Sequence, residues 1–515
     1  MYLRLYRAPV LRKWLTPAAW VGAVSAALLI VFPVGFPNYD TIYALLWGRE
    51  LAHGISPDYG SALPPTPHPL ADLVGLVATP LDNGAITLTM VIAYASLGLV
   101  GYLVYRLGSL WFDRWIGAVA AAIVLTRAPF LSNGIRAYVD LPYIALCLGA
   151  LAIETKRPRA GWPVLSLLAL AGLLRPEAWL FSMAYLAYLG VELGRSHRGS
   201  EEAKGMPLER ADTQSAGLIR PALVRARGIP FAFPGWRFVV LALAAPITWA
   251  LFDLVTTGSP TYSFTGTRDT VETLSRQTGP VDLVLYGPRR LGEVLQWPGM
   301  VGAAGGVVLG LAFLRRRSLL GVTAAALALG AFAVLACAGL AIIPRYTMLA
   351  AAVLAIFVAL ALLGWRLLEP EHPWRGRWRV FAAFVMLMFA LWLPNQWHLD
   401  SRVDTDLTNQ ARIENDLTDL VDAEAFEPLC GPIAVPNHRA IPRLAFGLDV
   451  KPTRIVSSTE QRPPARGYFV APANSFVIHN FILDPNDPTR FSLGGIPRGY
   501  RRVAANESWV VYRRC

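Results

Sequence analysis

NYDTIYALLWGRELAHGISPDYGSALPPTPHPL, residues Asn38 to Leu70, is the stretch on which the reading of this chain turns. It follows directly on an apolar run from Leu15 to Phe36, so it leaves a membrane as that run ends and sets Asp40 at the bilayer surface. The run is too long for the apolar core of a signal peptide, and no persuasive small-residue cleavage site follows it, so it reads as a retained first span. Within the stretch, Tyr39 to Gly54 has helical composition, with Ile42, Leu45, Leu46 and Arg49 near the spacing of one face and Gly54 as a stop. Pro69 to Leu81 is apolar on one side and too short to cross. The expectation is two amphipathic helices lying on the outer membrane surface, making a cleft rather than a pore.

Composition sets the class. With 54% hydrophobic and 16% charged residues and a mean hydropathy of +0.42, the chain belongs with membrane proteins. Apolar runs of about 17 to 25 residues can cross as helices, and eleven of them precede Pro394. A net charge of +12 raises nucleic acid as a partner, but the basic residues are scattered at span ends and not clustered with aromatics, so no nucleic-acid partner is expected. They report orientation instead. Arg4, Arg7, Arg12 and Lys13 precede the first span, whereas Arg49 is the one Lys or Arg of the next loop, residues 37–83. The positive-inside rule then places the N-terminus in the cytoplasm and Asp40 outside a plasma (inner) membrane. Arg315-Arg316-Arg317 and the Arg366 to Arg379 group mark the inside again, and the polar stretch Arg195 to Arg237 reads as a flexible cytoplasmic loop.

Residues 1–394 therefore read as a polytopic helix bundle, and 395–515, where hydropathy falls, as a small extracytoplasmic α/β domain. Its strands are expected at Pro432–Pro436, Gly467–Pro472 and Glu507–Cys515, and its helices at Asn409–Val421 and Arg439–Phe446. Cys430 and Cys515 both fall in this domain, where an oxidising compartment permits a bridge but sequence does not fix their separation. Cys147 and Cys337 lie in apolar spans and read as packing residues. No metal-ligand spacing such as C-x-x-C or H-E-x-x-H occurs, so neither a metal nor another cofactor is assigned.

Charged residues predicted at outer span ends make the candidate site. Asp40 is either a general base or a plain helix N-cap. Arg345, Arg175 and Arg136 present guanidinium forks suited to a phosphate, or are ion-paired end residues, with Asp140 and Glu177 as their natural partners. Tyr346 offers a hydroxyl or an interfacial anchor, and His68, between Pro67 and Pro69, lines the cleft or merely stiffens a turn.

An acidic residue in the first outer loop, surface helices behind it, a many-span bundle and an outer C-terminal domain together resemble the GT-C superfamily of integral-membrane glycosyltransferases. The phrases IRAYVDLPYIALCLGALAIE (Ile135–Glu154), LAGLLRPEAWL (Leu170–Leu180) and IIPRYTMLAAAVLAIF (Ile342–Phe357) add to the resemblance. It implies a sugar donor carried on polyprenyl phosphate, a glycan, lipid or protein acceptor, and Asp40 as the base. Many members carry two adjacent acidic residues at the first site, whereas here Asp40 is followed by Thr41, which weakens a metal-assisted reading. Two other readings compete: a transporter or flippase of lipid-linked glycans, and a non-catalytic scaffold with the same bundle. Few charges lie inside the spans and no paired broken helices are evident, which disfavours transport.

Overall fold

The computed structural model describes residues 8–204, 235–428, 430–482 and 496–515. The first half of the chain forms α1 (Ala8–Val31), α2 (Tyr39–Ala52), α3 (Pro69–Ala78), α4 (Gly84–Trp111), α5 (Arg114–Leu125) and α6 (Ala128–Ile135). Next come α7 (Asp140–Lys156), α8 (Trp162–Gly172) and α9 (Glu177–Lys204). The second half of the bundle is α10 (Trp236–Thr257), α11 (Tyr262–Thr273), α12 (Gly279–Phe313), α13 (Arg315–Cys337), α14 (Met348–Leu363) and α15 (Trp374–Asp422). The expected loop from Arg195 to Arg237 begins instead as the continuation of α9, and 205–234 lie outside the described residues.

A helix stands at each of the eleven expected spans, but eleven crossings are not confirmed. Among the described residues six helical segments are long and apolar enough to cross, and α5 with α6, bent by 63°, would make a seventh. Helices α7 and α8 have 17 and 11 residues, roughly 26 and 17 Å, against a hydrocarbon core of about 30 Å. The second half of α9 is polar. At the centre of the bundle, α14 is buried on nearly every side from Met348 to Ala361, as its wholly apolar sequence requires.

Five short strands complete the fold: β1 (Ile433–Val435), β2 (Ile455–Ser457), β3 (Gly467–Pro472), β4 (Arg501–Ala505) and β5 (Trp509–Arg514). They form one sheet in the order β2-β1-β3-β5-β4, parallel across β2, β1 and β3 and antiparallel beyond. The three expected strand segments are all present, whereas β2 and β4 are additions. The expected helix at Asn409–Val421 is the far end of α15, which stays helical through Pro394, and Arg439–Phe446 overlaps α16 (Ile441–Gly447). Cys430 and Cys515 are bridged, with Cα atoms 5.8 Å apart, tying the segment before β1 to the chain beyond β5.

One expectation fails at α2. It is not a surface helix with one buried face, since Thr41 to Gly48 are buried all round. Its Ile42, Tyr43, Leu46 and Trp47 share a core with Ile413 and Leu417 of α15 and Leu444 of α16, so the C-terminal domain closes over it. Against its other side α3 packs backbone to backbone. A Cβ on Gly48 would stand 2.3 Å from the Leu76 nitrogen, and one on Gly75 would stand 2.3 Å from the Ala44 carbonyl oxygen. Arg49 also pairs with Asp449 at 2.9 Å, and Asp58 accepts hydrogen bonds from the Thr453 amide and hydroxyl at 3.0 and 2.6 Å. The segment 37–83 is thus clamped between the bundle and the C-terminal domain.

Candidate active site

The site is assembled at the ends of four elements, and α2 supplies its acid. The N-cap of α2 is Asn38, whose Oδ1 accepts from the amides of Asp40 at 2.7 Å and Thr41 at 3.2 Å. Asp40 is therefore not the cap, and its carboxylate is left for other work. It takes an ion pair from Arg345, Nη1 to Oδ2 at 3.3 Å, with the two side chains 28% and 22% exposed for arginine and aspartate. That partial exposure leaves the pair open to exchange with a ligand.

The end of α2 is nailed to the loop between α6 and α7. Asn38 donates through Nδ2 to the Arg136 carbonyl at 2.8 Å, and Thr41 donates to the Ala137 carbonyl at 2.7 Å. Ala137 has a φ of +55°, a strained conformation for a residue with a Cβ. These bonds deliver Tyr138 to the site, where the guanidinium of Arg136 lies 5.1 Å and that of Arg345 5.6 Å from its ring centroid. Arg136 holds the Ser132 hydroxyl at 2.9 Å and has no ion-pair partner among the described residues.

Arg175 behaves differently. It is buried with Asp140 and Glu177, pairing with both, and Nη2 stands 2.7 Å from Glu177 Oε1. Two carboxylates more than balance its charge, and the guanidinium plane lies 4.3 Å from the Tyr346 ring centroid. Arg345 approaches the same ring at 5.5 Å. Asp140 and Glu177 are thus partners of an arginine, as expected, and the triad with Tyr346 forms the wall against which Arg345 rests. His68 is half-buried nearby, its ring edge-on to Trp249 at 5.8 Å. Burial, aided by Arg175 and Arg345, pushes its imidazole down to about 3, so it is uncharged at neutral pH.

An apolar cavity of about 430 Å³ runs up to this group between α2, α3, α4, α7 and α8. Leu70, Leu99, Leu103 and Leu167 line it, and it ends on Thr41, Ala137 and Tyr138. All eight expected residues thus fall at one end of the bundle. Two of the groups that organise them, Asn38 and Tyr138, carried a signal in the sequence: an asparagine two residues before Asp40, and a tyrosine flanked by Arg136 and Asp140. Among the described residues, no three His, Cys, Asp or Glu side chains converge as a set of metal ligands.

No family model and no curated protein matches the chain. Solved structures do. ArnT from Cupriavidus metallidurans bound to undecaprenyl phosphate is 13% identical, with a TM-score of 0.52 over 97% of this chain and 98% of that one. The apo state of the same protein, 14% identical, gives 0.46 over 98% of each chain. The apo oligosaccharyltransferase of Archaeoglobus fulgidus, 12% identical, gives 0.45 over 89% of this chain and 69% of that one. The likeness to the first, nearly end to end, shows a shared fold, a helix bundle carrying a small C-terminal domain.

Proposed function

We propose that this membrane protein is a glycosyltransferase that takes a sugar from a polyprenyl-phosphate donor and passes it to a hydroxyl of an envelope glycan, lipid or protein on the outer face. The observation that carries the reading is the Asp40–Arg345 pair at 3.3 Å, set beside Tyr138 at the head of an apolar cavity. A solved protein of the same fold binds undecaprenyl phosphate, which supports a lipid-phosphate donor here.

In this reading the polyprenyl tail lies in the cavity and its phosphate comes to rest at Tyr138 between Arg136 and Arg345, the two arginines not enclosed by carboxylates. The phosphate takes the fork of Arg345 and so displaces Asp40 from it. The freed carboxylate accepts the proton of the acceptor hydroxyl as its oxygen attacks the anomeric carbon. The bond from that carbon to the phosphate oxygen breaks, and the lipid phosphate leaves with the electron pair, its charge met by the arginines. One displacement of this kind inverts the anomeric centre. Arg175, held by Asp140 and Glu177, orients Tyr346 and Arg345, and uncharged His68 packs behind them.

Convergence of the polar groups at one end of the bundle, away from its mid-depth, favours transfer over transport. By the charge pattern that end is outside, with the N-terminus cytoplasmic. The test is sugar transfer by the purified chain in lipid from a polyprenyl-phosphate sugar. Asp40→Asn keeps the shape and leaves the Asn38 cap intact, so turnover should fall roughly 10²- to 10⁴-fold with unchanged melting. Turnover within a few-fold of the native chain would remove Asp40 from the chemistry and favour a scaffold.

A further inference from the structure

A second cavity, of about 980 Å³, lies on the other side of α7 and α8, between these and α4, α9, α13 and α14. Leu167 lines the first cavity and Leu168 the second, so α8 separates them. Its walls are apolar, with Leu148, Val164, Leu320 and Val353 among them. The rim is at the end of the bundle remote from Asp40, and there Arg316 and Arg317 stand in the first turn of α13.

Both arginines are exposed, and neither side chain has an ion pair or hydrogen bond among the described residues. The rim's one acid, Glu154, is otherwise engaged. It accepts from the Arg159 amide at 2.8 Å, the Ala160 amide at 3.4 Å and the Tyr185 hydroxyl at 2.7 Å. The rim therefore carries positive charge without compensation, above an apolar shaft. From Arg316 to Leu327, both on its lining, α13 rises roughly 16 Å, about half the ~30 Å hydrocarbon core. That is the depth of one leaflet.

We infer that this cavity is a binding site for an anionic glycerophospholipid of the leaflet on the Arg315–Arg317 side, with the phosphate on Arg316 and Arg317 and an acyl chain along α13. Unpaired guanidinium forks match a phosphate diester, and a shaft one leaflet deep matches acyl chains. The site is separate from the proposed donor site, and its occupancy does not depend on transferase activity.

Native mass spectrometry of the purified full chain, offered equal phosphatidylglycerol and phosphatidylcholine with the same acyl chains, tests the assignment. Phosphatidylglycerol should be retained in preference, and Arg316→Gln with Arg317→Gln should cost about fivefold in that preference per arginine. Ala324→Trp, which fills the shaft without changing charge, should reduce retention of both lipids. Should that variant melt early, the exposed arginine pair still decides the matter. Equal retention of the two lipids, or a preference that survives loss of both arginines, would each overturn the inference.

Discussion

In the proposed reaction Asp40 and a lipid phosphate compete for one guanidinium, which makes binding and turnover separable. Removing the carboxylate leaves Arg345 without its resident anion, so Asp40→Asn should bind polyprenyl phosphate at least as tightly as the native chain while transferring poorly. Titration with the lipid phosphate in nanodiscs checks this. Arg345→Ala should weaken the same binding by roughly ten- to a hundredfold, the worth of a charged hydrogen bond, and Arg345→Lys by less, because charge survives and the fork does not. Equal affinity for the native chain and Arg345→Ala would take the phosphate away from this residue. At this scale the sequence was readable where charge and position coincide: Arg175 does pair with Asp140 and Glu177. It misled over the cap. Asn38 and Asp40 are both good caps, and only the path of the backbone, bonded through Asn38 to Arg136, decides between them.

Among the elements, α2 and α3 bear most directly on the site. With Gly48 and Gly75 facing the partner's backbone at distances no Cβ tolerates, Gly75→Ala has to push α2 off α3. Overpacking of this kind costs about 1–3 kcal/mol. Because α2 carries Asp40, turnover should fall together with the melting temperature in detergent, whereas Gly54→Ala, in open space but at φ +69°, should affect melting alone. The burial of α2 was not legible in its own residues. Thr41, Gly48 and Glu50 look like a polar face, yet Thr41 is held by the Ala137 carbonyl, Gly48 by the backbone of α3 and Glu50 by the Asp58 amide. The C-terminal domain that covers Ile42, Tyr43, Leu46 and Trp47 lies hundreds of residues away. Strands β2 and β4 escaped for a related reason. One is three residues long and the other begins Arg501-Arg502, so neither alternates clearly enough to stand out.

For the molecule as a whole, the outer domain contains its own pH-dependent contact. Glu414 of α15 is buried 3.6 Å from Arg443, and burial pushes its carboxyl up to about 7 against the opposing pull of that arginine. The folded domain therefore keeps a proton that the unfolded chain releases from about 4.5 upward. Its contribution is full below pH 4.5 and is lost as pH rises through 7. Melting of the native chain should accordingly drop between pH 5 and pH 8 by more than that of Glu414→Gln, measured by the outer domain's unfolding in the full chain. Equal slopes would mean that the acid is ionised in the fold throughout. Hydropathy recovered the two-part architecture, since it reports solvent. It placed a boundary at Pro394 that the helix passes through: the proline removes one backbone donor, but α15 stays helical on both sides of it.

That continuity has a mechanical consequence. Forty-nine residues of α15 make a rod of roughly 73 Å, with one end in the bilayer and the other in the core of the outer domain. A stem that stays helical through Pro394 transmits tilt. In the proposed reaction the domain therefore does not swing away like a lid while its stem stays upright, and an acceptor arrives sideways, along the membrane plane. A bilayer whose thickness or tension leans the stem would lean the roof of the site with it, and the rate of transfer would then register the physical state of the membrane.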